Sequence, residues 1–470
     1  MAVEIVRKET IKPSSPTAPH LKIFKLSFLD QIAPPVYTSL VLFYPASDKT
    51  NDVNTISEHL KKSLSEALTR FPQLAGRIDS KDTTAIECTD DGAPYFEAKL
   101  KGTDLSSFVK HPSEEVLERF IPAKIESADA STGPLLLVQA TFFDSGGLAI
   151  GICISHKFAD AATLSIFLKS WARGGYLAEG PADLNPPSDP PLPESQNVPN
   201  ARHDVISPPD GPNYPLPGVR GLKGKVVLKT EPVSKRYVFD KSKIDALKYK
   251  AARDGSQQPT EVEVVTALVL KCAINASRST SKLNNQYVLF QLVDIRKRVK
   301  PPFPENSTGN LVGSSVVQVD YNKQKLELRS LVAILRKETE EFSENEAKRL
   351  GGDGAAEVVS EWTKKVEDLT GRDDVNSFVC DSWVNYGFYE VDFGLGRPIW
   401  ASRPSSSLEN NTFTLMDTKE SGGVEVRLTL SKENMAAFEN DQELLAYASN
   451  LNYNLALVED TEKPKFFKGS

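Results

Sequence analysis

The stretch 180–218 limits the folds open to this chain more than any other. It holds twelve of the 31 prolines in the 470-residue sequence, in runs such as GPADLNPPSDPPLPESQ and ISPPDGPNYPLPG. Proline removes a backbone donor and fixes φ. Such a run cannot form the interior of a helix or a strand, and it reads as an extended crossover between two folded parts. The chain is also too long for one ordinary core. The expectation is therefore a domain over 1–179, a crossover over 180–225 and a second domain over 226–470.

Helical and strand patterns alternate on both sides of the crossover. SEHLKKSLSEALTRF (57–71) places Leu60, Leu64 and Leu68 at helical spacing. PLLLVQATFFDSGGLAIGICISH (134–156) sets two apolar runs around Asp144-Ser145-Gly146-Gly147, which predicts a hairpin buried on both faces. ATLSIFLKSWARG predicts an amphipathic helix through Leu164, Phe167, Leu168 and Trp171, with Asp160 as its N-cap. Beyond the crossover, SKRYVF predicts a strand, followed by a helix with Ile244, Leu247 and Ala251 inward. PTEVEVVTALVLKCAINAS (259–277) predicts a buried helix and YVLFQLVDIR (287–296) a central strand. LELRSLVAILRKETEEFSENEAKRL predicts one charged surface helix. YGFYEVDFG, NTFTLMDT and GVEVRLTLS predict short strands, and KENMAAFENDQELLAYASNL a last helix. The mixture is that of an α/β protein.

Charge and cysteine usage exclude several functions. The net charge is −7, so no basic stripe is available to track a phosphate backbone. Cys88, Cys153, Cys272 and Cys380 are too widely spaced for CxxC metal or redox sites, and they read as buried thiols in a reducing compartment. The N-terminal MAVEIVRKETIKPSSPTAPH has no apolar core of the kind found in signal peptides. VYTSLVLFYP is far too short to span a bilayer. A cytosolic protein is expected.

Of the five histidines, only His156 follows a strongly apolar strand and precedes a helix, in ISHKFADAATL (154–164). Taken locally, a packed, hydrogen-bonded histidine is the default reading. A metal site is disfavoured: no second His or Cys cluster accompanies His156 and Asp160, and HExxH is absent. A serine hydrolase is disfavoured because there is no GxSxG elbow. Ser155 would face the other side of the strand, and Cys153 lies inside an apolar run. The chemistry left open is general-base catalysis by a lone histidine, with the nucleophile supplied by the acceptor substrate.

Two motifs then coincide. SHKFAD carries HxxxD, and VDFGLGRP follows some 235 residues later. Together they resemble the BAHD family of plant acyl-CoA-dependent acyltransferases. IKPSSPTAPHLKIFKLSFLDQ, FPQLAGRI, VDIRKRVKPPFP followed by TGN, and DSWVNYGFYEVDFGLGRP resemble further family segments. The opening and SHKFADAAT most resemble the clade of vinorine synthase and salutaridinol acetyltransferase.

The resemblance implies two similar-sized domains of the chloramphenicol-acetyltransferase-like type, with mixed, mostly antiparallel sheets and a channel between them. His156 is implied as the general base, reached by acyl-CoA from one face and a hydroxyl acceptor from the other. Asp160 is implied to pair with Arg296 and hold the His156 loop, and Asp392 to be structural. CoA contacts are implied around Thr260 at a helix N-terminus, where the hydroxyl serves equally as an N-cap, and around Trp383. No permanently bound cofactor and no metal are implied. Acetyl-CoA is the expected co-substrate, an alkaloid-like hydroxyl the expected acceptor and a monomer the expected state. Nucleic acid and membrane are not expected partners.

Two positions depart from the family pattern. Asp381 stands where a Ser or Thr is usual, and Leu395 replaces a tryptophan. Another donor, N-acylation, a repurposed lyase or cyclase, and a non-catalytic binding protein on the same fold remain the alternatives.

Overall fold

The computed structural model describes residues 3–46, 52–79, 82–110, 112, 114–173, 232–252, 258–280, 285–304, 306–323, 326–350, 355–372, 374–405 and 410–450. The proline-rich crossover expected over 180–225 lies outside the described residues.

The first half is organised by the 136–155 hairpin. Leu136–Phe143 and Leu148–Ser155 pair antiparallel, Leu136 opposite Ile154 and Phe142 opposite Leu148. Every residue of both strands is buried, as their unbroken apolar runs require. The turn needs its glycine: Gly147 has φ +92°, and a Cβ there would lie 2.9 Å from the Tyr44 carbonyl oxygen. Across the sheet the order is Val3–Ile11, Ala93–Leu100, Leu136–Phe143, Leu148–Ser155, Tyr37–Tyr44 and Trp400–Ser402. All pairings are antiparallel except that of Ala93–Leu100 with Leu136–Phe143. The helices Val53–Arg70 and Ala161–Arg173 cover it, with Leu60, Leu64, Leu68, Leu164, Phe167 and Trp171 in its core.

The second half builds a seven-stranded sheet in the order Val312–Asp320, Gln286–Asp294, Val375–Ser382, Thr412–Asp417, Val424–Ser431, Pro232–Phe239 and Ser449–Asn450. Gln286–Asp294, Val375–Ser382 and Thr412–Asp417 run parallel, and the other neighbours antiparallel. The helix Glu261–Thr280 packs on it through Val264, Leu268 and Cys272. This is the expected α/β architecture of mixed, mostly antiparallel sheets.

Among the described residues, one excursion of the second half enters the first sheet. The segment after Ser382 leaves the second sheet and ends in Trp400–Ser402, which pairs with Tyr37–Tyr44 of the first. Trp400 stacks on Phe43 at 5.0 Å, and Trp383, Phe388, Val391, Phe393 and Leu395 enter the first core. Burying each such large side chain contributes about 1.5–3 kcal/mol. Leu395 is therefore packed rather than exposed at the position where an indole is usual.

Four elements differ from the sequence expectation. YGFYEVDFG is not a strand. Gly387 (φ 72°) and Gly394 (φ 85°) turn the chain, and Phe388–Glu390 is a short 3-10 turn. The last helix is two helices, Lys432–Phe438 and Gln442–Tyr447, because Asp441 caps the second by accepting from the Glu443 and Leu444 N–H groups. The helix read over 57–71 begins at Val53, capped by Asp52. The 326–350 helix is interrupted by a π turn at Ser343–Ala347.

Candidate active site

His156 leaves the hairpin at the end of strand Leu148–Ser155, where its N–H donates to the Val36 carbonyl at 2.8 Å. Ser155 faces away, and its hydroxyl donates to the Ala130 carbonyl. Phe158 and Ala159, both fully buried, anchor the loop from below. Asp160 then caps the helix Ala161–Arg173 by accepting from the Thr163 N–H at 2.8 Å.

The same carboxylate ties three segments together. Arg296 donates from Nη1 to Asp160 Oδ2 at 2.8 Å and from Nη2 to Oδ1 at 2.9 Å. Leu311 N–H donates to Oδ2 at 3.0 Å. Burial pushes the Asp160 carboxyl up, but the Arg296 guanidinium and these hydrogen bonds outweigh it and hold the carboxyl below the usual aspartate range. Thr163 also exchanges hydrogen bonds with the Gly309 backbone. The 307–311 loop is thus pinned beside His156.

Asn310, on that loop, meets the imidazole. His156 Nδ1 lies 2.7 Å from Asn310 Oδ1. The amide is oriented by its own donors, since Nδ2 donates to the His156 carbonyl at 2.6 Å and to Asp30 Oδ1 at 2.9 Å. Asp30 also accepts from the Asn310 N–H at 2.7 Å, and from the Ser27 N–H and hydroxyl. With both amide hydrogens committed, the Asn310 oxygen must face the ring. Nδ1 is then the protonated nitrogen, and Nε2 keeps its lone pair. Burial lowers the His156 pKa despite the Asn310 contact, which favours the neutral ring.

His156 lines a cavity of about 140 Å³ together with Asn310, Asp381, Trp383, Tyr386 and Arg403. Ile32, Phe342, Val358 and Val359 give it an apolar flank, which Glu346 also lines. Trp383 donates its indole N–H to Asp381 Oδ2 at 2.5 Å, so the departing carboxylate is tethered to a ring. Arg403 is the one arginine or lysine lining the cavity among the described residues, and its guanidinium lies 5.9 Å from the Trp383 ring centre.

The structure brings together His156, Asp160, Arg296 and Trp383. It places two other sequence-predicted residues elsewhere. Asp392 accepts from the Gly394 and Gly396 N–H groups at 2.7 and 2.9 Å, stitching the DFGLG turn, and does not line the cavity. Thr260 forms a capping box with Glu263: each backbone N–H donates to the other's side chain, at 2.8 and 3.2 Å. It too is outside the cavity lining.

Asp30, Asn310 and Arg403 were not singled out from the sequence. Asp30 carried a local signal in the Ser27-x-x-Asp30 capping box that opens the helix Phe28–Ile32, and Asn310 ends the TGN segment that resembles the family. Cys153 is fully buried, and burial pushes its thiol up to about 11, away from nucleophilic use at neutral pH. Among the described residues no three His, Cys, Asp or Glu side chains gather as a metal site, and no helix is long and apolar enough to cross a membrane.

Comparison with known proteins places this geometry in context. Residues 1–445 match the model of the Transferase family. BAHD acyltransferase BIA1 of Arabidopsis thaliana is 35% identical over 95% of this chain and 97% of its own length. A limonoid 1-O-acetyltransferase of Citrus sinensis is 32% identical over 96% and 99%. The crystal structure of vinorine synthase superposes with a TM-score of 0.76 at 31% identity, covering 96% of this chain and 100% of that one.

Proposed function

The chain belongs to the BAHD acyltransferases of the Transferase family, and from that premise we propose how its cavity works and on what. It is an acyl-CoA-dependent O-acyltransferase of plant specialised metabolism, in line with its acetyltransferase relatives. Acetyl-CoA is the donor and a hydroxyl of an alkaloid-like polycycle the acceptor. The observation that carries the mechanism is the fixed His156 tautomer, with Nδ1–H held by Asn310 and Nε2 free of any described partner at the cavity.

The acceptor hydroxyl donates its proton to His156 Nε2 as its oxygen attacks the thioester carbonyl. The imidazolium returns that proton to the CoA thiolate as the C–S bond breaks. A general base of this kind supplies about 10²–10⁴-fold, and holding both substrates in one cavity supplies more. Arg403, the cationic side chain that lines the cavity among the described residues, is assigned to the oxyanion. Asp160 and Arg296 act through the loops they hold. Thr260 and Asp392 serve the helix start and the DFGLG turn, and a cytosolic monomer remains the expected state.

The reading is tested with purified protein and acetyl-, malonyl-, benzoyl- and coumaroyl-CoA over a panel of hydroxylated alkaloids, terpenoids and phenolics. Acceptor-dependent thiol release fastest from acetyl-CoA is expected. Release that is fastest from another thioester, or that shows no dependence on any acceptor, contradicts it.

A further inference from the structure

The segment 328–350 brings one carboxylate to the cavity. Leu328, Leu331, Leu335 and Phe342 form the buried stripe of the helix Leu328–Phe342. Through the π turn Ser343–Ala347 and the final turn Lys348–Leu350, the buried stripe continues as Ala347 and Leu350, with Glu346 half-buried beside it. Phe342, Glu346 and Leu350 line the cavity. Phe342, Ala347 and Leu350 pack with Ile32, Val358 and Val359, so the half-buried carboxylate of Glu346 borders an apolar cluster. Burying such a group without a partner is costly, and π turns are frequent where a helix is deformed for function.

Glu346 makes no side-chain hydrogen bond and no ion pair with any described residue. Burial pushes its carboxyl up, and the charges that act on it, Lys365, Glu361 and Arg349, are of mixed sign. Trp362, on the helix Ala355–Thr370, lines the same cavity, and its indole N–H is buried without a partner. An unpaired carboxylate and an unpaired donor thus share an apolar chamber with the rings of Phe342 and Trp362. A carboxylate beside aromatic rings is the ordinary setting for an ammonium group, which gains from ion pairing and from the ring quadrupole together. A neutral acceptor would forgo both gains.

We infer that Glu346, flanked by Trp362 and Phe342, is the subsite that binds a protonated amine of the acceptor. This rests on the O-acyltransferase reading of the same cavity and narrows its acceptor to a hydrophobic polycyclic amino alcohol. The ammonium sits on Glu346 while the hydroxyl reaches His156.

Equilibrium dialysis at pH 7 of two matched probe pairs tests it: codeine against N-acetylnorcodeine, and 17β-dimethylaminoandrostan-3β-ol against its uncharged 17β-acetamido counterpart. Wild type is expected to bind the amine of at least one pair about 10- to 100-fold more tightly than its neutral partner. Glu346→Gln, which keeps the shape, is expected to erase that preference, and Glu346→Leu to do the same. No preference in wild type for either pair, or a preference that survives Glu346→Gln, overturns the inference. Acetyl transfer to neutral alcohols with no charge preference would overturn the subsite and leave acyl transfer standing. A charge preference lost in Glu346→Gln, with no transfer from any acyl-CoA, would do the reverse.

Discussion

Removing the Asp160 carboxylate should cost the protein its fold margin as well as its rate. Asp160 and Arg296 are both buried, with side chains 4% and 6% exposed, and they meet through two hydrogen bonds. Asp160→Ala would leave the guanidinium charged inside the protein and strip partners from the Thr163 and Leu311 N–H groups. Breaking a buried pair from one side costs about 3–5 kcal/mol. Asp160→Leu combined with Arg296→Met removes both charges and should recover most of that loss. Activity should stay low in the double variant, because the 307–311 loop is no longer tied to the loop carrying His156.

The assay is urea unfolding by circular dichroism on wild type, both single variants and the double, with thiol release from acetyl-CoA in parallel. The pH dependence has a fixed sign. The folded carboxyl is held below its ordinary 3.8, so the pair's contribution is complete above that value and is lost as pH falls through the depressed one. An Asp160→Ala loss below about 1 kcal/mol, or single-variant costs that add in the double within about 0.5 kcal/mol, would refute the reasoning.

Other variants separate the remaining roles. The acid limb of kcat/KM should lie below pH 6.5, because burial lowers the pKa of His156 from that ordinary value. Asn310→Asp should move the limb to higher pH by placing a carboxylate against Nδ1, and a pH–rate profile unchanged by that substitution would contradict the tautomer assignment. By the same sign, the buried neutral His156 contributes fully to stability above pH 6.5, and progressively less as the unfolded chain takes up the proton below it. Thr260→Ala should lose about 0.5–2 kcal/mol of stability as a missing cap, because its hydroxyl oxygen accepts from the Glu263 N–H, and leave KM for acetyl-CoA unchanged, since the residue is outside the cavity lining; a raised KM would support the CoA contact that the resemblance implies.

What could be read from the sequence follows from how local each signal was. The 136–155 hairpin was legible because two unbroken apolar runs flank a turn that needs glycine. The cap at Asp160 lies within a few residues of the helix it starts, and His156 stood out at a strand end. YGFYEVDFG alternates like a strand, yet its aromatic side chains fill the core of the other half instead of pairing in a sheet. KENMAAFENDQELLAYASNL has continuous helical periodicity, and only the cap at Asp441 divides it. Asn310 lies 154 residues along the chain from His156, and Asp30 lies 280 residues from Asn310. No periodicity links such positions, so their roles emerge only once the two halves are packed.

The most direct test of the central claim is acceptor-dependent thiol release from acetyl-CoA by wild type and His156→Ala, measured side by side with folding checked by circular dichroism. The account predicts a loss of about 10²–10⁴-fold in kcat with the fold retained, because the one described side-chain hydrogen bond removed is that of the ring to Asn310. Release that continues at the wild-type rate in a folded His156→Ala would contradict the assignment of His156 as the base.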